Sequence, residues 1–348
     1  MVQSMKKSAH PTLSEVAKKA GVGTTTVSRV INGGDRVNEK TLARVLKVIE
    51  ALGYTPNQAA RTLKGHRTMT IGLMIPSIAD PFFSSCAEAA QAVARANDSL
   101  LIVTTTQNDP AAEVESLNVL IRHRTDGLLI TPAGTHGPAL HDLLKRTILP
   151  VVSIDRPVDN SMIPSVVADN YEGARTATEH LIKHGYKRIL CLTGEANLYT
   201  ISERIKGYRE TMTKAGLECL LDESVTDYKS AEDAIRRWLD SPEPPEAIFA
   251  LKNITTIYAF EALQKLNVSV PETVALLGFD DFELASTVRP SITVIQQPIE
   301  DMGRIAAELL FKQLFDVANG TVQTRPKIAQ QVKLETRLIV RSSCGCNP

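Results

Sequence analysis

Apolar positions along the chain follow two different rhythms. Between Leu13 and Leu52 they recur three and four residues apart: Val16, Ala17 and Ala20 first, then Val27, Val30 and Ile31, then Leu42, Val45, Ile49 and Leu52. That period predicts three amphipathic helices. From Met69 onward, short continuous apolar runs alternate with amphipathic stretches. The runs cover 70–76, 100–105, 127–131 and 150–154, and a second series covers 188–193, 247–251, 274–279 and 293–295. Helical stretches fall between them at 83–96, 113–124, 173–184, 202–215 and 256–266. Strand, helix, strand in this order predicts parallel sheets with helices on both faces, and two such series predict two similar lobes.

End signals sharpen the first region. Thr12-Leu13-Ser14-Glu15 is a capping box, in which Thr12 caps the amide of Glu15 and the Glu15 carboxylate reaches back to Thr12. Gly21 supplies a left-handed stop. After the turn Gly21-Val22-Gly23 a second helix is expected from Thr24 to Ile31. Its outer face carries Thr24, Thr25, Ser28 and Arg29, three short hydrogen-bonding groups and one forked cation. Asn38 caps the third helix and Gly53 ends it. Two short helices across a Gly-containing turn, the second polar outside, form the helix-turn-helix arrangement that reads DNA. Arg29 suits bidentate pairing with guanine, a contact worth about 1–3 kcal/mol of discrimination. The competing reading of this pattern is a helical hairpin with Thr and Arg at its surface. After a break at Tyr54-Thr55-Pro56-Asn57, residues 58–64 have helical composition. They fall short of the about 12–15 residues a helix needs to persist alone, so this segment is expected to order only when something packs on it.

Charge favours the nucleic-acid reading. The 348 residues carry 39 Lys+Arg and 39 Asp+Glu, a net charge of zero. Residues 1–68 hold twelve Lys/Arg against Glu15, Asp35, Glu39 and Glu50, which is +8 and leaves −8 for the remainder. A small basic head on an acidic body is an electrostatic footprint for a polyanion. No stretch reaches the about 18 uninterrupted apolar residues of a membrane span, so no membrane partner is expected. Residues 1–12 are polar and basic without an apolar core, which points to the cytoplasm. The five Cys lack framework spacing and read as reduced thiols. No Walker loop, no GxGxxG after a strand and no GxSxG elbow occur, so neither a catalytic set nor a cofactor is expected. The seven His are dispersed, and Cys344-Gly-Cys346 is read as two thiols on a polar, mobile tail at 342–348, so no metal is expected either. Three Asn-x-Ser/Thr sites, beginning at Asn253, Asn267 and Asn319, are read as unglycosylated in the cytoplasm. Trp238 sits on an amphipathic stretch and is read as packing.

The stretch LSEVAKKAGVGTTTVSRVINGGDRVNEKTLARVLKVIEALGYTPNQAARTLKGHRTMTIGLMIP, from Leu13 to Pro76, resembles the head and hinge of the lactose/galactose-repressor (LacI/GalR) family of bacterial transcriptional regulators. Gly23 departs from the family's usual Ser; as an N-cap it costs only a few tenths of a kcal/mol. The resemblance implies that Thr24, Thr25 and Arg29 read bases. It places Arg61 and Leu63 in a hinge helix whose leucine wedges into the minor groove, with Asn57 and Lys64 as further DNA contacts beside them. Apolar wedging of this kind repays a few kcal/mol of unstacking with a bend that widens the contact.

In the body the candidate ligand contacts fall at the strand ends, because open α/β sheets bind ligands beyond the carboxyl ends of their strands. There stand Asp80-Pro81-Phe82-Phe83, Asp155-Arg156, Lys252-Asn253 and Gly278-Phe279-Asp280-Asp281, with Arg204 opening a helix in Ser202–Tyr208. Carboxylates, an amide, guanidinium groups and an aromatic face suit a polyhydroxylated ligand. A polar residue ending a strand is more often a cap when taken singly. ADPFF, TDGLLITP, VVSIDRP, ERIKGY and VPETVALLGFDDFELASTVRPSITVIQQP resemble the same family's periplasmic-binding-protein-like core. That resemblance implies effector contacts at Asp80, Phe83, Asp155, Arg156, Arg204, Asn253 and Asp280. Lys252-Asn253 departs from the Asn-Asp common in relatives and leaves room for an anionic ligand.

The expected fold is therefore an all-α helix-turn-helix head, 1–55, a hinge at 56–68, and an α/β two-lobed periplasmic-binding-protein-like (type I) core at 69–341. The expected partners are a double-stranded DNA operator, a small effector (a sugar, sugar phosphate or sugar acid) and a second copy of the chain. One helix-turn-helix makes too few base contacts for specificity, so a symmetric homodimer on a pseudo-palindromic site is expected, with the Ala-rich helix at 83–96 in its interface. The polar residues after Arg341 are too few for a coiled coil. A sugar-binding transport protein is the rival reading; it shares the two lobes but has no use for a basic head.

Overall fold

The computed structural model describes residues 11–31, 33, 36–55, 67–134, 138–158, 162–318 and 330–346. It divides into two compact units, 1–68 and 69–348.

The first unit contains α1 (Leu13–Ala20), α2 (Thr24–Ile31) and α3 (Glu39–Leu52) among its described residues. The capping box is complete: Thr12 Oγ1 accepts from the Glu15 amide at 3.3 Å, and Glu15 Oε2 accepts from the Thr12 amide at 2.7 Å. Gly21 adopts φ 65° and Gly53 φ 59°, left-handed stops that a Cβ would strain. Asn38 Oδ1 accepts from the Thr41 amide at 2.8 Å, as the cap reading requires. Val16, Ala17, Ala20, Val27, Val30 and Val45 are buried together. Tyr54, assigned to a break by the sequence pattern, is also part of this core. It follows the last left-handed turn, which folds its ring back under the helices.

The second unit holds two six-stranded sheets. One comprises β1 (Thr70–Ile75), β2 (Leu100–Thr105), β3 (Gly127–Ile130), β4 (Val151–Ile154), β5 (Ser165–Ala168) and β11 (Gln331–Leu334), ordered β11-β5-β4-β3-β1-β2 and all parallel. The other comprises β6 (Ile189–Leu192), β7 (Leu220–Asp222), β8 (Ala247–Ala250), β9 (Ala275–Phe279), β10 (Thr293–Gln296) and β12 (Arg337–Ile339), ordered β12-β10-β9-β8-β6-β7. In this sheet only β12 runs antiparallel, to β10. The two orders superimpose strand for strand, which is the internal repeat the apolar runs foretold.

Helices α4 (Pro81–Ala96), α5 (Pro110–Arg122), α6 (Pro138–Arg146), α7 (Asn170–Lys183), α8 (Tyr199–Lys214), α9 (Tyr228–Leu239), α10 (Asn253–Lys265) and α11 (Ile299–Ala318) cover the sheets. The apolar runs placed four strands in each lobe. The additional ones, β5, β7, β11 and β12, are three or four residues long, too short to show a period. The chain crosses between lobes at 168–170, 296–299 and 334–337, so α11 lies late in sequence but packs in the first lobe's core with Phe82, Phe83 and Cys86.

The Ala-rich helix α4 turns Ala87, Ala90 and Ala94 inward against the first lobe's core, while Ala92 and Ala96 stay exposed on its other side. The approach to α11 is so close that a Cβ on Gly303 would lie 2.3 Å from the Cys86 carbonyl oxygen. The segment 342–346 is not a mobile tail: Ser343 and Cys344 are fully buried. Ser343 Oγ donates to the Leu276 carbonyl at 2.6 Å and accepts from the Thr293 amide at 2.8 Å, so it stitches this segment to the second sheet. Trp238 packs on the second lobe's core and donates to Asp222 at 2.8 Å, as a packing residue with a satisfied N–H.

Candidate functional site

In the head, Val27 and Val30 anchor α2 in the core, which rotates Thr24, Thr25 and Arg29 to the exposed side with Ser28 half-buried beside them. Short polar groups and a guanidinium on the exposed side of the second helix match what a major-groove reader presents. Asn57, Arg61, Leu63 and Lys64 lie outside the described residues.

In the body, the carboxyl ends of the two sheets face one cleft with a cavity of about 210 Å³. Asp80, Phe83, Asp155, Arg156, Arg204 and Asp280 line it. Asp155 ends β4 and Asp280 ends β9, the equivalent strand of the other lobe. Both adopt left-handed backbone, φ 69° and 73°, and each amide still donates to the next strand: Asp155 N to Val166 O at 2.9 Å, Asp280 N to Ile295 O at 2.8 Å. Asp tolerates that conformation better than most residues.

Each aspartate meets a guanidinium. Arg156 Nε lies 3.2 Å from Asp155 Oδ2, and its NH1 donates to Asn108 Oδ1 at 2.7 Å and to the Pro132 carbonyl at 2.9 Å. Arg204 reaches in from α8, with Nε donating to Asn170 Oδ1 at 2.7 Å and NH1 to the Leu251 carbonyl at 2.6 Å; the same NH1 lies 3.5 Å from Asp280 Oδ2. Its Cζ stacks 3.7 Å over the Phe279 ring. Burial pushes the Asp155 carboxyl above its ordinary value although Arg156 pulls the other way. Burial likewise lowers Arg204 despite Asp280.

Direct bonds cross the cleft. Asn253 does not line the cavity itself; its Nδ2 donates to Asp80 Oδ1 at 3.3 Å, and that oxygen also accepts from the Phe82 amide as the cap of α4. Asn108 Nδ2 donates to Glu195 Oε1 at 3.1 Å, and Glu195 pairs with Lys252 at 3.0 Å. Burial opposes ionisation of Glu195, but Lys252 and Asn108 together hold its carboxyl below the ordinary value.

Asn108, Glu195 and Gln297 were not anticipated. All three follow strand ends in the structure, so reading two or three residues further past each apolar run would have found them. Gln297 Nε2 donates to Asp280 Oδ1, whereas its buried Oε1 has no hydrogen-bond partner.

Residues 68–336 match the family model for periplasmic binding proteins and the sugar binding domain of the LacI family, and residues 12–57 match that for bacterial regulatory proteins, lacI family. The ribose operon repressor of Escherichia coli K12 is 32% identical over 338 residues, 95% of this chain and 99% of that protein. Among solved structures, the complex of the transcriptional regulator CelR with cellobiose is 32% identical with a TM-score of 0.70, covering 96% of this chain and 99% of that one. The lac repressor dimer bound to operator and the anti-inducer ONPF shares the fold at a TM-score of 0.84 and 23% identity, over 97% of this chain and 99% of that one. A helix-turn-helix head with an exposed polar reading face, a two-lobed body with a polar cleft, and matches over nearly the whole length lead to one assignment: this chain belongs to the LacI family of bacterial regulatory proteins and is a DNA-binding transcriptional regulator.

Proposed function

We propose that the protein is a cytoplasmic, non-catalytic repressor that occupies a pseudo-palindromic operator as a homodimer and is switched by a small neutral sugar in the interlobe cleft. In this reading residues 1–55 bind DNA through Thr24, Thr25, Ser28 and Arg29. Residues 56–68 form the hinge, with Asn57, Arg61, Leu63 and Lys64 on DNA, and 69–341 bind the effector and the second copy. Leu100 on the edge strand β2, 72% exposed, supplies apolar surface for that second copy.

The observation that carries the choice of ligand is the cleft's charge pairing. Its lining contains four acids, Asp80, Asp155, Glu195 and Asp280, and three bases, Arg156, Arg204 and Lys252. Every base is already opposed by an acid, and Asp80 remains as a surplus negative charge. A sugar phosphate or sugar acid would meet no uncommitted cation there. Hydroxyl groups would find acceptors in Asp80 and in Gln297 Oε1, and a buried acceptor without a partner calls for a donor from outside. The cavity is smaller than the about 300–1,000 Å³ of clefts that hold drug-sized ligands, which favours one sugar ring.

A ligand bridging Asp80, Asp155 and Asp280 would draw the lobes together along the Asp80–Asn253 and Asn108–Glu195 contacts. Coupling of about 1–3 kcal/mol between cleft and operator is the ordinary scale for such switches. A thermal-shift panel of neutral sugars, sugar phosphates and sugar acids tests the reading. Stabilisation by a neutral sugar, lost in Asp280→Ala, is expected; stabilisation by the anions alone overturns the neutral assignment. In operator titrations Arg29→Ala is expected to cost about 1–3 kcal/mol while leaving sugar binding unchanged.

A further inference from the structure

Away from the cleft, His180 and the C-terminal Cys344 and Cys346 gather their ligand-capable atoms within 4.8 Å of one another, the one such group of metal-ligating side chains among the described residues. His184 stands at the edge of this group, because one helical turn separates it from His180 and puts both rings on one face, centroids 4.7 Å apart. The packed segment after β12 brings the thiols up beneath these rings. His180 Nε2 lies 3.3 Å from Cys344 Sγ and 3.7 Å from Cys346 Sγ, and His184 Nε2 lies 2.9 Å from Cys346 Sγ.

We propose that His180, His184, Cys344 and Cys346 form a zinc site that clasps the C-terminal segment to the end of α7. Two imidazoles and two thiolates are a common structural zinc set, held tetrahedrally with zinc–sulfur near 2.3 Å and zinc–nitrogen near 2.0–2.1 Å. Those lengths place neighbouring nitrogen and sulfur ligands about 3.5 Å apart, and the observed separations bracket that value. The buried thiol is held in place by its neighbours. Thr293 Oγ1 donates to Cys344 Sγ at 3.1 Å and Tyr186 Oη donates to the Cys344 carbonyl at 3.2 Å, so the buried thiol and its backbone are both oriented from a second layer. Gly345 between the two thiols adopts φ 89°, the left-handed turn that lets both sulfurs point the same way.

The sequence spacing is two short motifs, His-x₃-His and Cys-x-Cys, about 160 positions apart, and only the crossing that returns β12 to the second lobe unites them. Binding there would fix the strand end that carries Arg341, whose guanidinium clamps Asp281 beside the cleft at 2.8 and 2.9 Å.

The test uses tag-free, full-length protein from zinc-supplemented medium, desalted and assayed for metals by mass spectrometry. One zinc per chain is expected. The double variant His184→Ala/Cys346→Ser, which leaves the buried Cys344 untouched, should lose it while keeping the native circular dichroism spectrum. Chelation should lower the melting midpoint of the wild type by several degrees and leave the double variant unmoved. Cobalt(II) added to chelated protein should give the intense visible bands of a tetrahedral thiolate site, abolished in Cys346→Ser. Folded wild type with no zinc and only the weak spectrum of octahedral cobalt overturns the proposal. So does equal zinc in the double variant, or a Cys344–Cys346 disulfide in protein isolated under reducing conditions.

Discussion

The two lobes solve the same problem with different parts. Each ends an equivalent strand in a left-handed aspartate, Asp155 or Asp280, and sets a guanidinium beside it. In the first lobe the guanidinium comes from the next residue, Arg156, and leans on Asn108 at the cleft's rim and on a loop carbonyl. In the second it comes from α8 and is locked by Asn170 at the start of α7, by the Leu251 carbonyl and by the Phe279 face. Asn108 also reaches Glu195 in the opposite lobe, so the first lobe's pair is wired to the contact between lobes. The second lobe's pair is wired into its own framework. The difference separates a guanidinium fixed within one lobe, Arg204, from one tied to the seam between the lobes, Arg156.

The largest expected effect follows from removing the frame's cation. Arg204→Met retains length and apolar contact but strands Asp280 in the interior, and breaking a buried pair costs about 3–5 kcal/mol. Urea unfolding should show that loss together with abolished ligand response. Arg156→Met should cost less, about 1–3 kcal/mol, because the carboxyl it abandons is already biased toward the neutral acid by burial. Equal losses for the two variants would break the comparison.

A pH series sharpens it. Asp155 has a folded pKa above its ordinary 3.8, so its contribution to stability is complete below that value and disappears as pH rises through the folded value. Glu195 has a folded pKa below its ordinary 4.5, so its contribution is present above 4.5 and lost as pH falls through the folded value. Unfolding free energies of wild type and Asp155→Asn, measured from acid to neutral pH, should therefore differ by an amount that shifts against the wild type as pH rises. A pH-independent difference would remove Asp155 as the source.

The smallest effect concerns the seam itself. Asn108→Ala deletes the exposed contact to Glu195 and one of the bonds that hold Arg156, and should cost about 1–2 kcal/mol, still less than loss of either guanidinium. It should nevertheless alter the ligand concentration needed to release operator DNA, because it removes a bond made only when the lobes meet. Unchanged release would mean that the Asn108–Glu195 contact takes no part in closure.

Much of this was legible in the residues. Helix period, a capping box at Thr12, and left-handed stops at Gly21 and Gly53 are local devices, and all appear where the sequence puts them. The apolar runs located the central strands, and their ends located Asp80, Asp155, Arg156 and Asp280, because a parallel sheet presents its carboxyl ends to one side. Asn108, Glu195 and Gln297 escaped because each lies past the end of the run that carries it, where nothing periodic remains to point at it. Ala90 and Ala94 signal close helix approach without naming the neighbour, and within the chain that neighbour is α11.

What the sequence determined by itself was therefore whatever rests on neighbours along the chain: the helices and their caps, the central strands, the charge division between head and body, and the polar residues at the strand ends. What only the tertiary structure decided was whatever rests on residues far apart. The short edge strands β11 and β12 form because existing sheets offer them hydrogen bonds. Asp80 finds Asn253 because two lobes face each other, and the last cysteines meet His180 and His184 because the chain crosses back to the second lobe. Periodicity and capping act over a few residues, whereas a cleft or a ligand cluster exists only once the chain has closed on itself.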